Sequence, residues 1–123
     1  MDGEGKPLGR QGEEIAREAL RRAGYRIIEQ NYRCPLGELD LVARHGKALV
    51  FVEVKSESPR SRVQAKDRVD RRKRRKLEQM AQFFLKEKRL VGVSARFDVV
   101  QVRFQTGLPP LVEIIPNAFE LQE

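Results

Sequence analysis

The chain has one cysteine, Cys34, one histidine, His45, and no tryptophan. A lone thiol excludes an internal disulfide and a cysteine zinc cluster. No run of about eighteen apolar residues occurs, so no transmembrane helix and no membrane role is expected. The first ten residues, MDGEGKPLGR, lack the apolar segment of a secretory leader. A single free thiol without a leader suits the reducing cytoplasm. No Gly-rich motif of the kind that cradles nucleotide phosphates is present, which leaves ATP dependence without support. His45 lies in a predicted turn, and Cys34, preceding Pro35 in a turn, has no activating base identifiable from the sequence. Neither Ser-His-Asp nor thiolate catalysis can be built from them.

What the chain has is charge. Its 123 residues carry a net charge of +7, and the segment 59–76, PRSRVQAKDRVDRRKRRK, alone carries ten basic and two acidic residues. That leaves the rest of the chain close to neutral. A localised basic block is the footprint of a polyanion, nucleic acid above all. The competing explanation is a solvated helix face followed by a polar loop.

Apolar spacing divides the chain into α-β-β-β-α-β-β. The first helix runs from Gln11 to Ala23 and stops at Gly24. Its apolar stripe is Ala16, Ala19, Leu20 and Ala23, with Glu13 at the stripe's edge and Glu14 projecting away from it. Strands are expected over Tyr25–Arg33, Leu39–Ala43, Ala48–Lys55, Ala95–Phe104 and, briefly, Leu111–Ile115. A long helix is expected from about Val63 to Lys88. The implied fold class is α/β, one domain over residues 1–123 with a mixed central sheet flanked by helices. The first eight residues and a basic loop over 56–68 are expected to be flexible.

Strands two and three, GELDLVARHGKALVFVEVK, put Asp40, Glu53 and Lys55 inside apolar runs, where an unpaired charge is costly. A turn centred on His45-Gly46, or a four-residue loop Arg44–Lys47, would pair Asp40 with Phe51 and Glu38 with Glu53. Asp40 and Glu53 then become diagonal neighbours on one face, about 7–8 Å apart by Cα, with Lys55 on the same face. Two such carboxylates can share Mg²⁺, or Mn²⁺, and the ammonium can orient water or offset phosphate charge. The plain alternative is a salt bridge on a solvated sheet face.

These residues resemble a known signature. An acid in LDLV, twelve intervening residues and then Glu-Val-Lys look like the PD-(D/E)XK nuclease pattern. More narrowly, GEEIAREAL, GYRIIEQNYR, GELDLVA, LVFVEVK and RFDVV resemble the YraN-like family of bacterial proteins, itself similar to archaeal Holliday junction resolvases. The resemblance implies a restriction-endonuclease-like αβββαβ core. It also implies a cation site of Glu13, Asp40, Glu53 and the backbone carbonyl of Val54, with Lys55 positioning water. Leu39 stands where the signature has proline. The activity implied is a Mg²⁺-dependent DNA endonuclease of the resolvase kind, acting on branched, single-stranded or damaged DNA and, by the same likeness, as a homodimer. The alternative is a nuclease-fold protein that binds nucleic acid or a repair partner without cutting it.

On the long helix, Val69, Leu77, Met80 and Phe84 form the inward stripe, with Lys73 at its middle and Lys76 beside it. Lys73 matches a lysine of the YraN-like pattern. It would reach the carboxylates or a scissile phosphate, or else snorkel along the core edge. Candidate phosphate contacts are Arg62 and Arg68 before the helix and Arg71, Arg72, Lys73, Arg74, Arg75 and Lys76 on it. Tyr25 and Tyr32 are either base-stacking platforms or half-buried strand residues. Asp98 is expected to pair structurally with Arg96.

Overall fold

The computed structural model describes residues 8–59 and 71–120. The elements are α1 (Leu8–Arg22), β1 (Arg26–Cys34), β2 (Gly37–His45), β3 (Ala48–Glu57), α2 (Arg71–Glu87), β4 (Ala95–Gln105) and β5 (Leu108–Glu120). Their order is the one expected from the periodicity. Ser56 and Glu57 belong to β3 rather than to a loop, and the remainder of the expected basic loop, from residue 60 onward, lies outside the described residues. So do Met1–Pro7 of the expected flexible N-terminus. β5 is much longer than the short strand foreseen: it is an edge strand, and Pro109 and Pro110 fall at the register irregularity opposite Arg103–Gln105, where the ladder is already interrupted.

The five strands form one sheet in the order β1-β2-β3-β4-β5. Every neighbouring pair is antiparallel except β3 and β4, which run parallel and are joined through α2. This mixed sheet has a helix on each face, as a parallel crossover and an amphipathic N-terminal helix together require. On one face, Ala16 and Leu20 of α1 pack with Leu41, Ala43, Val50, Val52, Val100 and Val102. On the other, Leu77, Met80, Ala81 and Phe84 of α2 pack with Leu39, Val42, Leu49, Phe51, Phe97 and Val99. Alternate residues of β3 thus feed two cores. Among the described residues no helix is long and apolar enough to cross a membrane.

The β2–β3 turn is Gly46-Lys47, not His45-Gly46, and not a four-residue loop. His45 pairs with Ala48, and Leu41 with Val52. Gly46 takes φ 61°, which suits the first central position of a type II′ turn. Centring the turn one residue earlier would ask histidine for that left-handed conformation. The pairing therefore moves by two residues from the expected one. An even shift by itself preserves the face of every side chain where the strands alternate regularly.

Asp98, fully buried in β4, ties three parts of the fold together. Its carboxylate accepts hydrogen bonds from Tyr25 Oη at 2.6 Å, Arg96 Nε at 2.9 Å and the Asn117 backbone N–H at 2.8 Å. Arg96 Nη2 also donates to His45 Nδ1 at 2.9 Å, so the proton of a neutral His45 sits on Nε2. His45 stacks on the Tyr25 ring with centroids 4.0 Å apart. The expected Arg96–Asp98 pair is present, and His45 has a packed role beyond turn polarity.

Candidate functional site

Beyond the Leu41–Val52 pair, β2 and β3 no longer pair through their backbones. There the Val54 N–H donates to Asp40 Oδ2 at 2.8 Å, so a side chain takes the place of the next backbone acceptor. A strand residue's N–H and C=O point to the same side, and the Val54 carbonyl therefore faces the same gap.

Strand alternation also breaks at this point. Leu39 packs in the α2-side core and Leu41 in the α1-side core, although they are two residues apart. On the facing strand Asn31 adopts φ 49°, and both Gln30 and Asn31 send their side chains to α1. Asp40 consequently lies near the plane of the sheet. The sequence placed it on one face with Glu53 and Lys55. Those two do share a face, and Asp40 reaches them from the plane, through the gap between the strands.

Glu53 Oε2 accepts hydrogen bonds from Lys55 Nζ at 2.8 Å and Lys73 Nζ at 2.7 Å. The side-chain exposures are 11% for Glu53, 13% for Lys55 and 38% for Lys73, so this is no salt bridge on a solvated face. Asp40, Glu53 and Lys73 line a cavity of about 260 Å³, whose other walls include Gly37, Lys76 and Met80.

Glu13 approaches from α1. Its carboxylate accepts a hydrogen bond from Asn31 Nδ2 at 2.9 Å, and its charge helps to raise the Asp40 pKa. Gly12 lets α1 lie close against β3, since a Cβ there would collide with the Ser56 side chain. Asn31 and Gly12 were not picked out by the sequence reading. An asparagine in mid-strand was the available signal, since asparagine enters the left-handed region more easily than most residues.

The electrostatics follow from burial and company. Burial, then the neighbouring Glu53 charge, push the Asp40 carboxyl up to about 7. Burial would raise Glu53 too, but the hydrogen bonds from Lys55 and Lys73 outweigh it and hold Glu53 below the usual carboxylate range. Burial lowers Lys55, while Glu53 and Asp40 keep Lys73 above its ordinary value despite desolvation. Two acids with divergent protonation and one softened ammonium make a grouping typical of reactive sites.

For a cation the donor set fits in kind. Asp40, Glu53 and the Val54 carbonyl present hard oxygens, and Mg²⁺ is commonly held by one or two carboxylates with water completing its shell. Among the described residues no three acidic, histidine or cysteine side chains converge into a ready-made ligand cluster.

Asp40 makes stability depend on pH. Its folded pKa of about 7 stands above the unfolded value of about 3.9, so across that interval the folded chain retains a proton that the unfolded chain has released. Stability from this group falls as pH rises through the window. Asp40→Asn, which keeps an oxygen acceptor for Val54, is expected to flatten the slope and to melt higher than the parent above pH 7. Thermal melting across pH checks this, and a variant that melts lower at alkaline pH would show that the ionised carboxylate stabilises the fold.

Arg71, Arg72, Arg74, Arg75 and Lys76 are exposed on α2, and Lys73 is half-buried. Arg74 stands over the Phe119 ring, 5.0 Å from its centroid, so it also covers β5. Arg62 and Arg68 lie outside the described residues. Tyr25 and Tyr32 are buried and donate to Asp98 and Glu87, which removes them as base-stacking platforms.

The model of the uncharacterised protein family UPF0102 matches residues 12–102. A UPF0102 protein of Syntrophotalea carbinolica is 45% identical over 114 residues, covering 93% of this chain and 92% of its own. One of Moorella thermoacetica is 47% identical over 112 residues, covering 90% and 93%. One of Geobacter metallireducens is 43% identical over 116 residues, covering 94% of each. Among solved structures, that titled "The structure of Pyrococcus Furiosus SfsA in complex with Ca2+" aligns at TM-score 0.40 and 16% identity. The alignment covers 86% of this chain but only 61% of that one, and a likeness so loose carries no argument about ligand or activity. The family match and the full-length relatives agree with the YraN-like motifs: the chain belongs to the uncharacterised protein family UPF0102.

Proposed function

We propose that this chain is a divalent-cation-dependent phosphodiesterase that cuts DNA at the gap between β2 and β3. One observation carries the reading: two half-buried carboxylates, Asp40 and Glu53, meet two ammonium groups beneath a helix whose outer face is basic. A sheet core has no structural need for mutually repelling acids, and their cost is tolerable where they hold a cation. Asp40, Glu53 and the Val54 carbonyl, with Glu13 on the α1 side, would hold Mg²⁺ or Mn²⁺. Such an ion, when bound, supplies Lewis-acid stabilisation of charge on a phosphate.

The chain's own residues supply the rest. Glu53 fixes Lys55 Nζ by a 2.8 Å hydrogen bond, and burial makes that ammonium a readier proton donor than a surface lysine. Lys55 thereby orients water for in-line attack and faces the charge that develops on the phosphate oxygens. Arg71, Arg72 and Arg75 hold the DNA backbone without reading bases. The substrate proposed is branched or single-stranded DNA as well as duplex. The second reading is a binder that does not cut, favoured by one observation: both lysines already occupy Glu53 Oε2.

The test is incubation of the protein with junction, flap, single-stranded and duplex DNA in Mg²⁺, Mn²⁺ or EDTA, alongside binding measured across salt. Cleavage abolished by EDTA and by Asp40→Asn is the expected result. Binding that weakens steeply with salt, as counterion release requires, but with no cleavage under either ion would support the non-cutting protein. Absence of both cleavage and binding would overturn both readings.

A further inference from the structure

We propose that Lys73 is an electrostatic latch, which closes the carboxylate site to divalent cations until a nucleic-acid phosphate draws it away. The proposal rests on the reading of Asp40 and Glu53 as cation ligands and adds the regulation of that site.

A single oxygen carries the argument. Glu53 Oε2 receives Lys55 Nζ at 2.8 Å and Lys73 Nζ at 2.7 Å. A carboxylate oxygen has about two lone-pair sites, and both on Oε2 are filled. A cation cannot use that oxygen unless one ammonium leaves. Even a cation bound through Asp40 and the other Glu53 oxygen would face two positive charges at close range.

The two lysines are not equally placed to move. Lys55 is held on β3 two residues beyond Glu53 and is 13% exposed, whereas Lys73 comes from α2 and is 38% exposed. Lys73 also belongs to the run Arg71–Lys76, whose other members are exposed and, on the function proposed above, include the phosphate-holding Arg71, Arg72 and Arg75. A phosphate bound on that face offers Lys73 a new anionic partner just as a cation offers one to Glu53. The exchange is of partners: the cation replaces Lys73 at Glu53, and phosphate replaces Glu53 at Lys73. Each ligand then favours the other, and by linkage the coupling is reciprocal. A free protein would hold cations poorly and take them up when DNA arrives.

Calorimetric titration of Mg²⁺ into the full chain, with and without a short duplex, tests this without any need for activity. Lys73→Gln is expected to bind Mg²⁺ alone at least about fivefold more tightly than the parent, within the ordinary range of coupling. The duplex should tighten Mg²⁺ binding by a similar factor in the parent and by much less in Lys73→Gln. Lys73→Arg, which keeps the charge, should restore the parent's weak cation binding. Arg75→Gln should weaken DNA binding while preserving the coupling factor. If Lys73→Gln binds Mg²⁺ no more tightly than the parent, the latch is overturned while the cation site stands. If neither protein binds Mg²⁺ with or without DNA, the cation site fails and takes the latch with it.

Discussion

Lys55→Met is expected to lower the single-turnover rate of DNA cleavage by a factor on the order of 10² or more, the usual loss for a preorganised electrostatic group. DNA affinity should barely change, because the arginines of α2 remain. The fold should also survive. Lys55 is largely buried, and stripping a buried acid of its only partner is strongly destabilising. Here Glu53 keeps its 2.7 Å contact with Lys73, so the remaining charge is not orphaned. The measurement is cleavage at saturating Mg²⁺ beside equilibrium binding and thermal melting. Cleavage at the parental rate would reduce Glu-Val-Lys to an ion pair and remove Lys55 from the mechanism.

Asp98→Ala should give the largest loss of stability, about 3–5 kcal/mol, as expected when one member of a buried charged pair is removed. The carboxylate is fully buried and serves Tyr25, Arg96 and Asn117 together. Its removal strands a guanidinium and a phenol and frees the backbone of β5 beside Asn117. The melting temperature should fall by on the order of 10 °C. Asp98→Asn, which retains shape and one acceptor, should lose distinctly less. DNA cleavage by the folded fraction should be unchanged, since this cluster lies at the His45 end of β2, away from Asp40. An Asp98→Ala protein as stable as the parent would show that the network contributes no net stability.

Much of this architecture is legible in the residues because it depends on local period. Helical spacing separated Glu13 from Glu14, and in the fold Glu13 is half-buried beside Asn31 while Glu14 is exposed. The same spacing separated Lys73 from Arg71 and Arg75, and only Lys73 turns inward to Glu53. The Glu53–Lys55 relation held because residues two apart on a regular strand share a face whatever the register. The hairpin pairing was misplaced by two residues because several turns fit RHGK, and the choice among them depends on where Gly46 can spend its positive φ.

The sequence by itself determined which residues could meet: the order of elements, the two apolar faces of β3, and the side of each helix that carries charge. These follow from short-range geometry, which is the same in any fold that uses those elements. Tertiary structure alone decided how they meet. The break in alternation at Asp40 is accompanied by a left-handed Asn31 on the neighbouring strand, and α1 lies close against Ser56 at Gly12, where a Cβ would collide. The protonation of Asp40 and the double lysine grip on Glu53 depend on desolvation by elements far apart in the chain. Burial and charge are properties of the assembled neighbourhood, and no periodicity along one strand contains them.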